Sequence, residues 1–146
     1  MSAHRRPVGR ARILAALGSI VVLVGCVLRW WTVGGLNGLP EISGNAFDGL
    51  GIVVFAAALA TIAVVTLPYA TERPVRANRW PIYALLAGLA WVAFALRFVD
   101  LLTVGALAFR EPLEVVTNGP GLWVTGIGLA LLARAAYDIH REIGGR

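Results

Sequence analysis

The chain has 146 residues, of which 58% are hydrophobic and 14% charged, and its mean hydropathy is +0.76. A water-soluble domain carries about 25% charged residues, and a disordered chain needs low hydrophobicity with high charge, so both classes are excluded. The formal net charge is +5 and all 13 basic residues are Arg; because they flank apolar runs, the excess reads as membrane orientation and not as nucleic-acid binding.

Four apolar segments follow one another along the chain. The first is uncharged from Ile13 to Leu28 and reaches Val33 if Arg29 extends to the headgroups, predicting a span over 12–33. The second, uncharged from Gly49 to Ala70, predicts a span over 46–69 opened by the capping box Asn45-Ala46-Phe47-Asp48. The third opens at Trp80-Pro81 and predicts a span over 80–102, interrupted by Arg97 and Asp100. The fourth, with Pro120 in its first turn, predicts a span over 119–137. Pro68 falls in the last turn of the second span, where it kinks or stops the helix. The expected fold is all-α, a single transmembrane four-helix bundle with tails 1–11 and 138–146.

Orientation follows from the arginines. With both termini cytoplasmic, the inner side carries a net +7 and the outer side −2, and the positive-inside rule then predicts a bacterial plasma-membrane protein, N-in and C-in. A weak internal parallel links Leu28-Arg29-Trp30-Trp31-Thr32-Val33-Gly34 to Leu96-Arg97-Phe98-Val99 and Thr103-Val104-Gly105, each followed by a loop holding Pro and Glu (Pro40-Glu41; Glu111-Pro112). It reads either as a parallel repeat of two helical hairpins or as chance in a chain rich in Gly, Leu and Val.

Few positions could carry chemistry. Arg97 and Asp100 are three apart on one helical face, and a charge inside a span must be paired or hydrated. With Arg29 and Asp48 they form a candidate polar site in the outer leaflet; the alternative is a snorkelling pair that fixes helix packing. Trp30, Trp31, Trp80 and Trp123 are candidate interface aromatics, the first three flanking spans as an aromatic belt does. Trp91 and Trp123 fall inside helices and are also expected to pack between them. Small residues four apart, Ala11/Ala15/Ser19, Ala56/Ala60, Ala84/Gly88 and Gly126/Ala130, permit close helix approach within the bundle or to a partner. In the loop 31–47, Leu36, Leu39, Ile42 and Phe47 are expected to anchor a packed cap.

Cys26, the one cysteine, reads in two ways. Leu23-Val24-Gly25-Cys26 after an Arg-rich start resembles a bacterial lipoprotein lipobox, which implies a lipidated Cys26; the apolar Val27-Leu28 that follows suits a buried structural thiol instead. Arg5-Arg6, followed by Pro7, resembles a twin-arginine signal only superficially. His4 and His140 lie at opposite termini, so the spacing offers no metal cluster, and neither a phosphate-binding loop nor a nucleophile constellation is present. No cofactor and no metal are expected, and the protein is read as not an enzyme.

The Arg-rich start, Leu28-Arg29-Trp30-Trp31 at the end of the first span and Gly44-Asn45-Ala46-Phe47-Asp48-Gly49 before the second resemble the small four-pass membrane proteins common in GC-rich actinobacterial genomes. The resemblance implies a topology and brings no activity with it. Claudin-like proteins share that topology, but Gly121-Leu122-Trp123 lies in the fourth helix here and the Cys pair is missing. The expected function is binding of a membrane or cell-envelope partner, with the lipid bilayer, a membrane protein or a second copy as partners and no nucleic acid. The competing expectation is a small oligomeric transport or lipid-handling unit built on Arg29, Arg97 and Asp100.

Overall fold

A computed structural model describes residues 9–34, 40–70, 80–108 and 117–144. It contains helices α1 (Arg10–Val27), α2 (Gly51–Ala70), α3 (Trp80–Ala108) and α4 (Pro120–Gly144). Between α1 and α2 lie strands β1 (Trp31–Val33) and β2 (Ile42–Gly44) and a 3-10 turn, Ala46–Asp48. Each helix holds a stretch of 18 residues or more that is long and apolar enough to cross a membrane. This is the architecture of a multi-pass membrane protein.

α1 packs on α2 and α4, and α3 packs on α2 and α4, so the helices close into a ring. The most extensive contact is the antiparallel pair α1 and α4. Ala11, Gly18 and Gly25 recur every seven residues on α1, as do Gly121, Gly128 and Ala135 on α4, and all six are buried. A seven-residue period keeps one face of a helix in register over two turns. Along this seam the backbones meet: a Cβ on Gly18 would lie 3.1 Å from the Gly128 carbonyl oxygen, and one on Gly121 would lie 2.6 Å from that of Gly25. Lipid removes the hydrophobic drive between helices, so such close van der Waals contact is what holds them.

Several boundaries differ from the sequence expectation. α1 ends at Val27 and not at Val33, because Leu28 turns to extended backbone and Trp30 folds inward. The capping box forms, but on the 3-10 turn; α2 itself starts at Gly51 and not at Ala46, with the turn folded tightly back on Gly51. α3 runs on to Ala108, since its Arg97 and Asp100 neutralise each other. α4 continues to Gly144, beyond the apolar run, with Arg134 and Asp138 paired one turn apart at 3.2 Å. Pro120 opens α4, Pro81 is second in α3 and Pro68 lies in the last turn of α2, as the sequence predicts.

Of the small-residue pairs, Ala11, Ala15 and Ser19 face the bundle interior, whereas Ala56, Gly88 and Ala130 face outward. Arg5, Arg6, Arg73, Arg76, Arg79, Arg110, Arg146, Leu36, Leu39 and the Glu111-Pro112 loop lie outside the described residues.

Gly128→Ala should destabilise the protein by about 1–3 kcal/mol through overpacking, because its Cβ would come within 2.7 Å of the Val22 amide nitrogen. Gly88→Ala meets nothing within 4 Å. It should therefore stabilise by up to about 1 kcal/mol through helix propensity. Thermal unfolding of both variants in mild detergent checks the opposite signs.

Candidate functional site

The end of the bundle opposite the described N- and C-terminal residues is built around Trp30. A helix leaves its last carbonyls and first amides without intrahelical partners, and apolar surroundings make those groups expensive to leave bare. Trp30 is fully buried, and its indole N–H donates to the Gly25 carbonyl at 2.9 Å, closing the last turn of α1. The Gly121 amide in the first turn of α4 donates to the Arg29 carbonyl at 2.8 Å. The Trp30 amide donates to the Gly44 carbonyl at 2.8 Å, which ties in the hairpin, where Trp31 pairs with Gly44 and Val33 with Ile42. The Trp30 ring stands edge-on to Phe94 of α3 with centroids 5.8 Å apart, and Trp91 reaches from α3 to the Leu129 carbonyl of α4 at 3.2 Å. Trp30 and Phe94 therefore fill this end between α1 and α3, and Trp91 bridges α3 to α4 nearer the surface.

Beside that plug sits Arg97. Its guanidinium pairs with Asp100, donates to the Asp48 carbonyl at 3.5 Å and packs against Gly49. Only 13% of the side chain is exposed, and Nε is buried without a partner. The Asp48 carboxylate is used locally: it accepts from the Asn45 amide at 2.8 Å while Asn45 Oδ1 accepts from the Phe47 amide at 3.0 Å. Arg29 does not join the cluster; it forms an exposed ion pair with Glu41 at 2.6 Å. Of the four candidate residues, the structure thus brings together Arg97, Asp100 and the backbone of Asp48.

The candidate interface aromatics divide as well. Trp30 departs from a belt position, being a core residue whose polar edge is spent on a helix end. Trp31 is half-buried over Gly44 with Nε1 unpartnered. Trp80 lies at the opposite end, partly exposed and tilted against His140 with centroids 4.5 Å apart. Trp123 is 54% exposed on α4, so it faces out of the bundle and does not pack between helices; Trp91 is also exposed, at 37%, although its indole N–H bridges from α3 to the Leu129 carbonyl of α4. In the loop, Ile42 is exposed and Phe47 is partly exposed against Phe55, so the anchors are Trp30, Trp31 and Ala46 instead.

Cys26 is fully buried in the core, the position of a structural thiol. Among the described residues no group of three His, Cys, Asp or Glu could hold a metal. The sequence reading missed one charged groove, between the start of α1 and the end of α4, lined by Arg10, Asp138, Arg141 and Glu142. The signal for it is the antiparallel pairing of those two helices, which brings residues more than 120 apart to one place.

The chain matches no protein-family profile, no curated protein and no solved structure.

Two substitution pairs test this geometry by thermal unfolding in detergent. Trp30→Ala should destabilise by about 3–5 kcal/mol, as loss of a large core aromatic does; Trp123→Ala should stay within about 0.5 kcal/mol, as for a surface site. Asp100→Asn strands a mostly buried guanidinium and should destabilise by about 1–3 kcal/mol, against less than about 1 kcal/mol for Glu41→Gln in the exposed pair.

Proposed function

We propose that this chain is a non-enzymatic protein of a bacterial plasma membrane, with both termini cytoplasmic, that acts by binding another membrane or cell-envelope protein. The observation that carries the reading is Gly88. A mid-helix glycine weakens a helix relative to Ala, by about 1 kcal/mol, and at Gly18, Gly25, Gly121 and Gly128 the close approach of α1 and α4 offsets that cost. Gly88 has no neighbour inside the bundle, yet it faces out of α3 with Ala84 one turn before it. A helix of a partner, approaching there as α1 approaches α4, gives the glycine the same role. The plugged, glycine-packed bundle supports binding over passage, because Trp30 and Phe94 occupy the space a translocation path needs.

The distribution of Arg supports the orientation: Arg10, Arg12, Arg134 and Arg141 flank the helix ends that carry the termini. The sequence parallels between the two helical hairpins support a diverged repeat in which the first copy replaced a continued helix with β1 and β2. The likeness to four-pass actinobacterial membrane proteins is in keeping with this assignment. A second reading, a small oligomeric transport or lipid-handling unit, is favoured by the buried, unpartnered Nε of Arg97. On that reading the Arg97 guanidinium is an anion or headgroup site in the outer leaflet.

The test is a photocrosslinking residue at position 88 in the native membrane, read with a Gly88→Ile variant and a reporter fused after Arg146. A discrete protein adduct at position 88, lost partner co-elution in Gly88→Ile with unchanged melting, and a reporter active only inside the cell are expected. Lipid adducts alone, with isolation as a lone monomer, would overturn the binding reading; a reporter active outside would overturn the orientation.

A further inference from the structure

At the end of the bundle that holds the described N- and C-terminal residues, α1 and α4 flank a groove of about 470 Å³. Its floor is apolar, Ala11 and Leu14, and its rim is charged: Arg10 from α1, and Asp138, Arg141 and Glu142 from α4. The volume lies within the range of about 300–1,000 Å³ typical of small-ligand sites.

Arg10, Arg141 and Glu142 are not spent on each other, while Asp138 gives its Oδ2 to Arg134. Among the described residues the ion pairs are Arg29–Glu41, Arg97–Asp100 and Arg134–Asp138, so Arg10, Arg141 and Glu142 have none. Arg134 and Arg141 lie along the Tyr137 ring, 5.8 and 5.9 Å from its centroid. α1 begins without a side-chain cap and without an acid in its first turn, which leaves its amide end positive beside Arg10. The Glu142 carboxylate lies next to Gly9 on the other side of the groove.

The groove also has a defined depth. The apolar run of α1 starts at Ile13 and that of α4 ends at Ala133, so rim residues 10, 138, 141 and 142 stand at headgroup level while Leu14 reaches the acyl boundary. This holds whichever side of the membrane the termini occupy.

We infer that this groove binds the headgroup of an aminophospholipid, with the phosphodiester between Arg10 and Arg141 and the primary ammonium at Asp138 and Glu142. Guanidinium groups hold phosphate through paired N–H donors, and a primary ammonium offers three donors to carboxylates. A purely anionic headgroup satisfies the arginines but brings the two carboxylates at most neutral hydroxyl donors and no positive charge. A quaternary ammonium brings charge but no N–H donor. The inference needs the chain to lie in a bilayer and is independent of the partner reading at Gly88.

The experiment uses the full chain in mild detergent, with melting followed as phosphatidylethanolamine, phosphatidylglycerol, phosphatidylcholine or free phosphoethanolamine is added at equal concentration. Phosphatidylethanolamine is expected to raise the melting temperature most, with free phosphoethanolamine giving little because it lacks the acyl contact at Leu14. R10Q/R141Q should lose the shift, whereas R29Q at the opposite end keeps it. D138N/E142Q should reverse the preference toward phosphatidylglycerol, a change of specificity that misfolding does not produce. Equal shifts from the three lipids, a larger shift from phosphatidylglycerol with the unaltered chain, or a shift retained in R10Q/R141Q would overturn the inference.

Discussion

The close approach of α1 and α4 constrains everything else in this bundle. In lipid there is no gain from hiding apolar surface in apolar surface, so helices associate through contact area, and glycine gives the most by removing the side chain between two backbones. Gly18 against Gly128 and Gly25 against Gly121 set the separation of the two helices along their length. Once they are that close, the chain leaving α1 has no room to continue helically past the entry of α4. It turns at Leu28, and its carbonyls at Leu28 and Arg29 come to rest over Gly121. The exposed amide of one helix is then satisfied by the carbonyl of the segment that ends the other.

The same demand, that polar groups in an apolar interior find partners close by, explains the buried hydroxyls and indoles. Ser19, Thr61 and Thr125 are buried and each donates to the carbonyl four residues back, at 2.9, 2.8 and 2.8 Å. Trp30 and Trp91 donate to carbonyls at Gly25 and Leu129. The demand is met only in part at Trp31 Nε1 and Thr32 Oγ1, which are buried without partners, and at Arg97, whose charge is matched by Asp100 while Nε is not. Because Asp100 is one turn away on the same helix, α3 continues through the charged stretch and needs no partner helix to supply the counter-charge.

Helix number was legible in the sequence, and so were the starts of α3 and α4, because they depend on local features: uncharged runs long enough to span and proline in first turns; the Asn45 and Asp48 capping box marks the 3-10 turn and not the start of α2. The ends were less so. Trp30, Trp31 and Val33 extend an apolar run without a break, and strands of three residues have no period to detect, so β1 read as helix. The position of Trp30 depends on a carbonyl five residues earlier and a phenyl ring on α3, which no local pattern reports. The decisive small residues were present but spaced by seven, Ala11, Gly18, Gly25 and Gly121, Gly128, Ala135, whereas spacing by four mixed the buried Ala11, Ala15 and Ser19 with the outward-facing Ala56, Gly88 and Ala130. A transmembrane helix is apolar all round, so hydropathy could not say which face was inside. The Arg97 and Asp100 pair was legible from its three-residue spacing; the use of Glu41 by Arg29 was not, because it depends on the hairpin.

The two ends of the bundle differ in how far their charges are used within the fold. At the Trp30 end each described ion pair is internal, Arg97 with Asp100 and Arg29 with Glu41, and the capping box occupies Asp48. Charge there is consumed in holding the hairpin and α3 in place. At the other end Arg10, Arg141 and Glu142 are left without ion pairs beside an open groove. In a bilayer such groups meet headgroups that carry the same kinds of charge. The Trp30 end is closed and self-neutralised, whereas at the groove end Arg134 and Asp138 pair and the remaining charges stay open to their surroundings.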